Sequence, residues 1–231
     1  MRMIVDGRGS FFPGDNSLQT LARQMDHDLR SPLTAICSYA ECLAWVPNLE
    51  PAARELYAQQ IAAQARRLGR LAANFLVLAA PPLSDALQTV DLGAAVTEVV
   101  RELEDFIAVR ELTLDWQEPQ EALVCWPREV LRQLLLAAVE TCLETVPSHA
   151  ALALRVVAEG DEGWRLECSS DAGRPSRVHE SFTWRAVEML ACQRGGAATL
   201  QTEPVLQLCV RIPLVGRVRH VVEESLLERS A

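Results

Sequence analysis

The sequence of 231 residues lacks any apolar run near the roughly 20 residues that a membrane-spanning helix needs. It also lacks an excess of basic residues, because 22 Lys and Arg stand against 31 Asp and Glu, for a net charge of −9. General nucleic-acid binders and anionic-membrane binders need a basic surface, so the net charge argues against both classes. Residues 1–16 lack the basic start and apolar core of a signal peptide, and we expect a cytoplasmic protein.

Cysteine spacing argues against two common kinds of site. The seven cysteines stand in apolar runs and form no CxxC pair, so we expect buried thiols, no disulfide framework and no metal site. Their odd number fits a reducing compartment.

The first part of the chain has the apolar spacing of two long helices. Residues three and four apart predict a helix over about 17–45, a turn at Pro47-Asn48 and a second helix over about 50–79. The second helix carries a heptad seam, formed by Tyr57, Ile61, Gln64, Leu68, Leu71, Phe75 and Leu78. Two helices with so short a connection cannot cover both faces of such a stripe, so we expect a homodimeric four-helix bundle. The alternative is a monomeric hairpin packed on the rest of the chain.

The remainder of the chain alternates helical and strand patterns, which predicts an α+β fold with helices on one sheet face. The predicted parts are a loose N-terminal arm (1–16), the helical hairpin (17–80), a linker (81–88), an α/β sandwich (89–216) and a C-terminal tail (217–231) with a short helix at 218–228. The predicted elements of the sandwich are a helix at 92–109, strands at 112–116 and 122–125, a helix at 127–145, strands at 151–158 and 164–168, a helix at 182–194, and strands at 198–202 and 206–212.

One histidine lies between two carboxylates on the first predicted helix, in the run Asp26-His27-Asp28. At about 100° per residue, His27 lies opposite the apolar stripe of that helix and should face water. A neutral imidazole has one ring nitrogen with a lone pair available for attack. Asp28 can hold the ring or accept its proton, and Ser31 lies one turn further on the same face. The alternative is a solvated histidine on a charged helix face.

The run around His27 resembles the H-box of two-component histidine kinases, whose common form is H-E-L-R-T-P-L. It reads here His27-Asp28-Leu29-Arg30-Ser31-Pro32-Leu33. The resemblance implies that His27 is the phosphoacceptor, that Asp28 is the general base, and that Ser31 positions water for dephosphorylation of a response regulator. It further implies that a receiver domain packs on the first helix and on the facing part of the second, around Thr34, Cys37, Ser38, Glu41, Gln59, Gln60 and Ala63.

The unit after the linker resembles the ATP-binding domain of the same kinases, the fold shared with gyrase and Hsp90-type ATPases. Its N-box, R-Q-V-L-x-N-L-L-x-N-A, aligns with residues 132–142, but Ala137 and Thr141 replace both asparagines. Thr141 fills the position whose amide oxygen binds Mg²⁺ in the family, and a threonine hydroxyl is a weak magnesium ligand. Glu144 stands where a basic or polar residue would meet phosphate, and its charge would repel the phosphate.

The other nucleotide motifs are also incomplete. The G1 box, D-x-G-x-G, is matched by Asp171 and Gly173 but not by a second glycine, and the strand leading to Asp171 is out of phase by one residue. Either the strand contains a bulge, or Ser170 occupies the aspartate position and the match is accidental. Ser181-Phe182-Thr183-Trp184 replaces the G-L-G-L turn whose backbone N–H groups meet phosphate. Phe182 and Trp184 are instead candidates for interface or core positions.

These observations favour a dimeric histidine phosphotransferase that relays a phosphoryl group between His27 and receiver-domain aspartates. ATP is not expected to bind, no cofactor is expected to be held tightly, and the receiver would supply Mg²⁺. The expected partners are response regulators and a hybrid kinase, not nucleic acid or membrane. Two alternatives remain: a divergent ATP-dependent sensor kinase, and a non-catalytic regulator that binds a kinase or a response regulator.

Overall fold

The computed structural model describes residues 4–5, 11–12, 15–79, 86–119, 121–172 and 181–214. Gly173, residues 81–85 of the predicted linker and the predicted tail at 217–231 lie outside the described residues. In the N-terminal arm, β1 (Ile4–Val5) pairs antiparallel with β2 (Phe11–Phe12), a hairpin that the prediction of a loose arm did not include.

Two long helices form the N-terminal hairpin. They are α1 (Asp15–Trp45) and α2 (Pro51–Ala79), and they end within about two residues of the predicted bounds. Proline suits the first position of α2 because the N–H that it lacks would have no partner within the helix. The rings of Tyr39 and Tyr57 pack across the hairpin with 5.4 Å between their centroids. Among the described residues, none of the helices combines the length and apolar character that a membrane span requires.

The rest of the described chain folds as a two-layer sandwich. Its elements are β3 (Gln88–Asp91), α3 (Leu92–Glu102), α4 (Glu104–Val109), β4 (Thr113–Trp116), β5 (Leu123–Trp126), α5 (Arg128–Thr145), β6 (Ala151–Ala158), β7 (Gly163–Ser170), α6 (Phe182–Cys192), β8 (Ala197–Gln201) and β9 (Leu206–Pro213). Five strands form a sheet in the order β4-β6-β7-β9-β8, in which only the β4–β6 pair is parallel. β3 and β5 form a separate antiparallel pair.

Helices cover one face of the five-stranded sheet. Alternate residues of its strands, such as Leu152 and Leu154 in β6, are buried against α5 and α6, as the period of two along a strand requires. α5 is buried almost all round because it packs against α2, α3, α6 and the sheet. The predicted α+β class, with an N-terminal helical hairpin and helices on one sheet face, is confirmed.

The structure corrects two details of the predicted elements. The single helix predicted at 92–109 is two helices, because the chain leaves helical geometry at Leu103 (φ −99°, ψ 4°). β3 was not predicted, and it ends where Asp91 caps α3 by accepting hydrogen bonds from the N–H groups of Gly93 and Ala94.

The helical hairpin packs directly on the sandwich. Phe182 at the start of α6 and Leu71 of α2 are fully buried against each other. Around them lie Met25, Leu29, Phe75, Leu78 and Met189, and we call these seven residues the interface cluster. Part of the predicted heptad seam, at Leu71, Phe75 and Leu78, is therefore covered within the chain, as the monomeric alternative proposed.

Candidate functional site

His27 stands on the outside of α1. Its side chain is 87% exposed, which confirms the prediction that it faces water. The ring atom Nδ1 lies 3.1 Å from Oδ1 of Asp28, which leaves Nε2 directed away from this carboxylate. The neighbouring Arg30 forms an exposed ion pair with Asp26 one turn earlier. An accessible imidazole held at one nitrogen by a carboxylate can act as a nucleophile through the other.

Asp28 connects the histidine to the sandwich. Its side chain is only 15% exposed, and its second oxygen, Oδ2, accepts a hydrogen bond of 2.7 Å from the backbone N–H of Phe182. Phe182 is the first residue of α6, and the side chain of Ser181 caps the same helix by accepting from the N–H of Trp184. One carboxylate thus links residues 27 and 182, on helices far apart in the sequence.

The face of α1 beyond His27 is open. Ser31, Thr34, Ser38 and Glu41 follow His27 at intervals of three and four residues, and all four are exposed. The Thr34 hydroxyl donates to the carbonyl of Arg30 at 2.9 Å. We call His27 and these four residues the acceptor face.

The cysteines are free thiols with different degrees of burial. Cys37, on the flank of the acceptor face, is exposed, so the prediction of buried thiols is wrong at this position. Cys142 and Cys168 are buried, and burial raises the pKa of the Cys142 thiol.

Two ion pairs join the helical hairpin to α5 near Asp28. Arg70 of α2 contacts Glu140 at 2.7 Å, and Arg67 contacts Glu144 at 2.8 Å. Burial raises the pKa of Glu144 to about 7; Arg67 opposes this shift, and the carboxylates of Glu140 and Asp28 add to it. The residue predicted to repel phosphate is instead part of the contact between the two units.

Thr141 lies inside the core and not in an open cleft. It is fully buried, and its hydroxyl donates to the carbonyl of Ala137 at 2.7 Å. Ala137, at the other asparagine position, is also fully buried. This pair does not fit the magnesium-holding role that the resemblance assigns to the N-box.

The register of β7 decides between the two readings of the G1 match. All eight residues of β7 pair continuously with β9, without a bulge. Leu166, Cys168 and Ser170 are buried on one side of the strand, whereas Asp171 is exposed in the turn that follows. Ser170 therefore occupies the inward position of the strand, and Asp171 lies one residue beyond it. Gly173 lies outside the described residues.

The start of α6 does not fit a phosphate site either. The N–H of Phe182 is bound to Asp28 and that of Trp184 to Ser181, so both donors are occupied within the chain. Phe182 is an interface aromatic and Trp184 a core aromatic, as the sequence suggested. The Thr141 hydroxyl and the N–H groups of Phe182 and Trp184 are thus all bonded within the chain.

Sequence reasoning missed the residues that join the two units. Arg67 and Arg70 are three apart on α2, and Glu140 and Glu144 are four apart on α5, so each pair lies on one helix face. Two helix faces of opposite charge are a signal that could have predicted their pairing. The contact of Asp28 with Phe182 carries no such signal, because a backbone N–H is the donor.

Known proteins resemble this chain in sequence and in fold. Residues 17–81 match the model of the His Kinase A (phospho-acceptor) domain. The chain is 30% identical over 139 residues to the sensor protein SphS of Synechococcus elongatus; the match covers 58% of this chain and 33% of SphS, so this chain spans about a third of the length of that relative.

Solved structures share the fold at low sequence identity. The histidine kinase AdeS of Acinetobacter baumannii matches with a TM-score of 0.58 and 16% identity, covering 81% of this chain and 98% of AdeS. The histidine kinase ThkA, in complex with the response regulator TrrA, matches with a TM-score of 0.57 and 15% identity, covering 84% of this chain and 60% of ThkA. A bacterial phosphotransferase matches with a TM-score of 0.50 and 15% identity, covering 87% and 98%.

At these identities the structural matches show the fold alone. The phospho-acceptor domain match falls on the helical hairpin that carries His27, and the curated relative is a sensor protein. These findings show that the helical hairpin resembles the phospho-acceptor domain of histidine kinases, and that the chain shares the fold of solved histidine kinases.

Proposed function

We propose that this protein is a histidine phosphotransferase, in which His27 accepts a phosphoryl group from a receiver-domain aspartate and passes it to another receiver. The observation that carries the proposal is the arrangement of His27, whose exposed ring is held at Nδ1 by Asp28. A phosphoacceptor must reach a partner protein, and a ring with 87% of its surface exposed can do so.

The chemistry follows from this geometry. Nε2 of His27 attacks the phosphorus of the receiver's aspartyl phosphate, which forms an N–P bond. The bond between phosphorus and the aspartate oxygen breaks, and the carboxylate leaves with the electron pair. The ring gains positive charge, and Asp28 Oδ1 accepts the proton from Nδ1. The receiver supplies the Mg²⁺ that neutralises the transferred group.

The contacts of Thr141 and of the first turn of α6 support a phosphoryl donor other than ATP. Thr141 is buried with its hydroxyl bound to Ala137, and Asp28 occupies the α6 N–H where the family binds phosphate. A phosphate at this place would have to displace the carboxylate, and two anions at one helix N-terminus repel each other.

The receiver would dock on the acceptor face. Ser31, Thr34, Ser38 and Glu41 continue from His27 along the exposed side of α1. By analogy with ThkA, whose structure includes a response regulator, we infer a response regulator as the partner. Ser31 would orient water when phosphoryl groups are removed from the receiver.

A second copy of the chain would cover the outer side of the hairpin. α2 exposes a stripe of small and apolar residues, made of Ala58, Ala62, Ala65, Gly69, Ala72 and Leu76. On α1 the exposed residues Leu33, Cys37, Ala40 and Ala44 form a similar stripe. Small side chains let helices approach closely, which supports a homodimeric four-helix bundle.

Transfer of label tests the proposal. Receivers from the same genome are phosphorylated with radiolabelled acetyl phosphate, freed of the donor, and mixed with the wild-type chain or with His27→Ala. We expect label on the wild-type chain with at least one receiver and none on His27→Ala. Label that never reaches the chain, or that reaches both forms equally, would refute the phosphotransfer. Receiver binding that survives in both forms without any label would instead indicate a non-catalytic regulator.

A divergent ATP-dependent kinase is the second candidate. The sequence relationship to a sensor protein favours it. Isothermal titration calorimetry with Mg–ATP separates the two candidates. We expect no binding heat at millimolar ATP, and saturable heat together with incorporation of γ-phosphate at His27 would favour the kinase.

A further inference from the structure

We propose that the backbone N–H of Phe182 is a positioning group for phosphotransfer: by holding Oδ2 of Asp28, it directs Oδ1 at His27 and fixes the ring tautomer in which Nε2 is free to attack. The inference rests on the proposed function, since it concerns the same acceptor. It gives the degenerate sandwich a role at the histidine without any nucleotide.

The contact is short and well placed. The N–H of Phe182 lies 2.7 Å from Oδ2, whereas the exposed contact between Oδ1 and His27 Nδ1 is 3.1 Å. A carboxylate free in water can rotate and offer either oxygen in many directions. Once a buried N–H holds one oxygen, the other has a defined direction, and that direction is toward Nδ1.

The ring of Phe182 holds this N–H in place. It is fully buried in the interface cluster, packed on Leu71, with its centroid 6.3 Å from that of the Phe75 ring. The cluster joins α6 to both helices of the hairpin, so the first turn of α6 cannot move away from α1 without exposing these apolar groups. The packing thus keeps donor and carboxylate together.

The tautomer is the chemical consequence. Oδ1 of an ionised carboxylate only accepts hydrogen bonds, so the nitrogen facing it must carry the proton. A proton on Nδ1 leaves the lone pair on Nε2, the nitrogen that faces solvent and an approaching receiver. Without the positioning N–H, Asp28 would hold Nδ1 less often, and a smaller fraction of the rings would be ready to attack.

Asp28→Asn tests the positioning directly, because an amide has one oxygen and one NH₂ group. If Phe182 N–H claims the oxygen, the NH₂ faces His27 and turns Nδ1 into an acceptor, which moves the proton to Nε2. NMR of ¹⁵N-histidine-labelled protein near pH 8 reads the tautomer, with His27→Ala identifying the signal. We expect the Nδ1–H form in the wild type and the Nε2–H form in Asp28→Asn. Retention of the Nδ1–H form in Asp28→Asn would overturn the proposal.

A pair of substitutions at position 182 isolates the N–H from the ring. Phe182→Ala removes the ring and keeps the N–H, whereas Phe182→Pro removes both. Proline fits because position 182 is the first of α6 and Ser181 has φ −73° and ψ 148°, the extended geometry that a residue before proline prefers. We expect Phe182→Pro to lose the Nδ1–H preference and to accept label about tenfold more slowly than Phe182→Ala. Retention of the Nδ1–H form in Phe182→Pro, with a rate equal to that of Phe182→Ala, would refute the positioning role.

Separate controls distinguish a loss of folding from a loss of function. The signal of His149, whose Nδ1 lies 3.2 Å from Glu111 in the other unit, should be the same in every variant, which shows that the sandwich remains folded. The tautomer requires no receiver, so it tests the positioning even if no phosphotransfer is found. Conversely, the wild type could accept label while Asp28→Asn and Phe182→Pro keep its His27 tautomer. That result would support the proposed function and refute the positioning role of the Phe182 N–H.

Discussion

Arg70 and Glu140 form an ion pair between the helical hairpin and α5, with 2.7 Å between Nη2 and Oε1. The two side chains are only 10% and 2% exposed. The attraction within a buried pair is largely offset by the cost of removing both charges from water. The pair therefore adds little to the net free energy of unfolding. It does make each unit depend on the other, because little water reaches either charge when its partner is absent.

Removing one partner of this pair should be costly. We expect Arg70→Met to lower the free energy of unfolding by about 3–5 kcal/mol, because Glu140 is left buried and unpaired. Arg70→Met combined with Glu140→Leu should recover most of that loss. Arg30→Met breaks an exposed pair with Asp26 and should cost less than about 1 kcal/mol. Urea denaturation measures all three, and a loss below 1 kcal/mol for Arg70→Met would contradict the role of the pair.

Glu144 should make stability depend on pH. Its pKa is raised by burial from 4.5 to about 7, so the folded protein binds this proton more tightly than the unfolded chain does. The stabilisation from the protonated group is complete below about pH 4.5 and is lost as the pH rises through about 7. Glu144→Gln keeps the uncharged form at all pH values and a hydrogen-bonding partner for Arg67.

The difference in stability between Glu144→Gln and the wild type should therefore grow in favour of the variant from pH 4.5 to 8, by about 3 kcal/mol. Denaturation at several pH values measures it. The exposed Glu41→Gln, which makes the same change of side chain away from Arg67, is the control. Parallel curves for Glu144→Gln and the wild type would show that Glu144 titrates normally.

A charge on the outer side of the hairpin should prevent dimerisation. Leu76 is 62% exposed in the single chain, and a second hairpin would bury it. Glutamate at this position would then be buried without a partner, so we expect Leu76→Glu to be a monomer and the wild type a dimer by sedimentation equilibrium. Leu123→Glu changes an exposed leucine of the sandwich and should remain dimeric. A wild-type monomer at micromolar concentration would contradict the four-helix bundle.

The acceptor face should determine receiver binding. Glu41 lies 14 residues beyond His27, about 21 Å along the helix, and is exposed. Glu41→Arg should raise the KM for the phosphorylated receiver about fivefold while kcat changes little, since charges at the rim of an interface mainly affect association. Asp161→Arg makes the same change of charge in the turn between β6 and β7. An equal effect of the two substitutions would argue against docking at the acceptor face.

The sequence predicted those features that depend on local patterns. α1, α2, α5 and α6 follow from apolar periodicity, and the exposure of His27 follows from its angle to the buried stripe of α1. The break at Leu103 was missed because the apolar pattern continues across it. The position of Asp171 was left open because a one-residue phase shift can be a bulge or an accident, and only the pairing of β7 with β9 decides.

The contacts between the two units could not be predicted in the same way. Asp28 and Phe182 are 154 residues apart, and the donor is a backbone group that every residue except proline carries. The coverage of Leu71 and Phe75 by α6 likewise depends on how the two units dock, which local periodicity does not specify. The heptad seam therefore predicted a helix-packing interface, but at Leu71 and Phe75 the packing partner is α6 of the same chain.

We expect the phosphoryl group on His27 to come from a receiver and not from ATP. Intact-mass spectrometry tests it on the wild-type chain and on His27→Ala, each incubated either with Mg–ATP or with an acetyl-phosphate-treated receiver. We expect one added phosphoryl group on the wild type with the receiver only, and this group should be lost on mild acid treatment, as in a phosphohistidine. Addition to the wild type with Mg–ATP alone, absent from His27→Ala, would instead show that ATP is the phosphoryl donor.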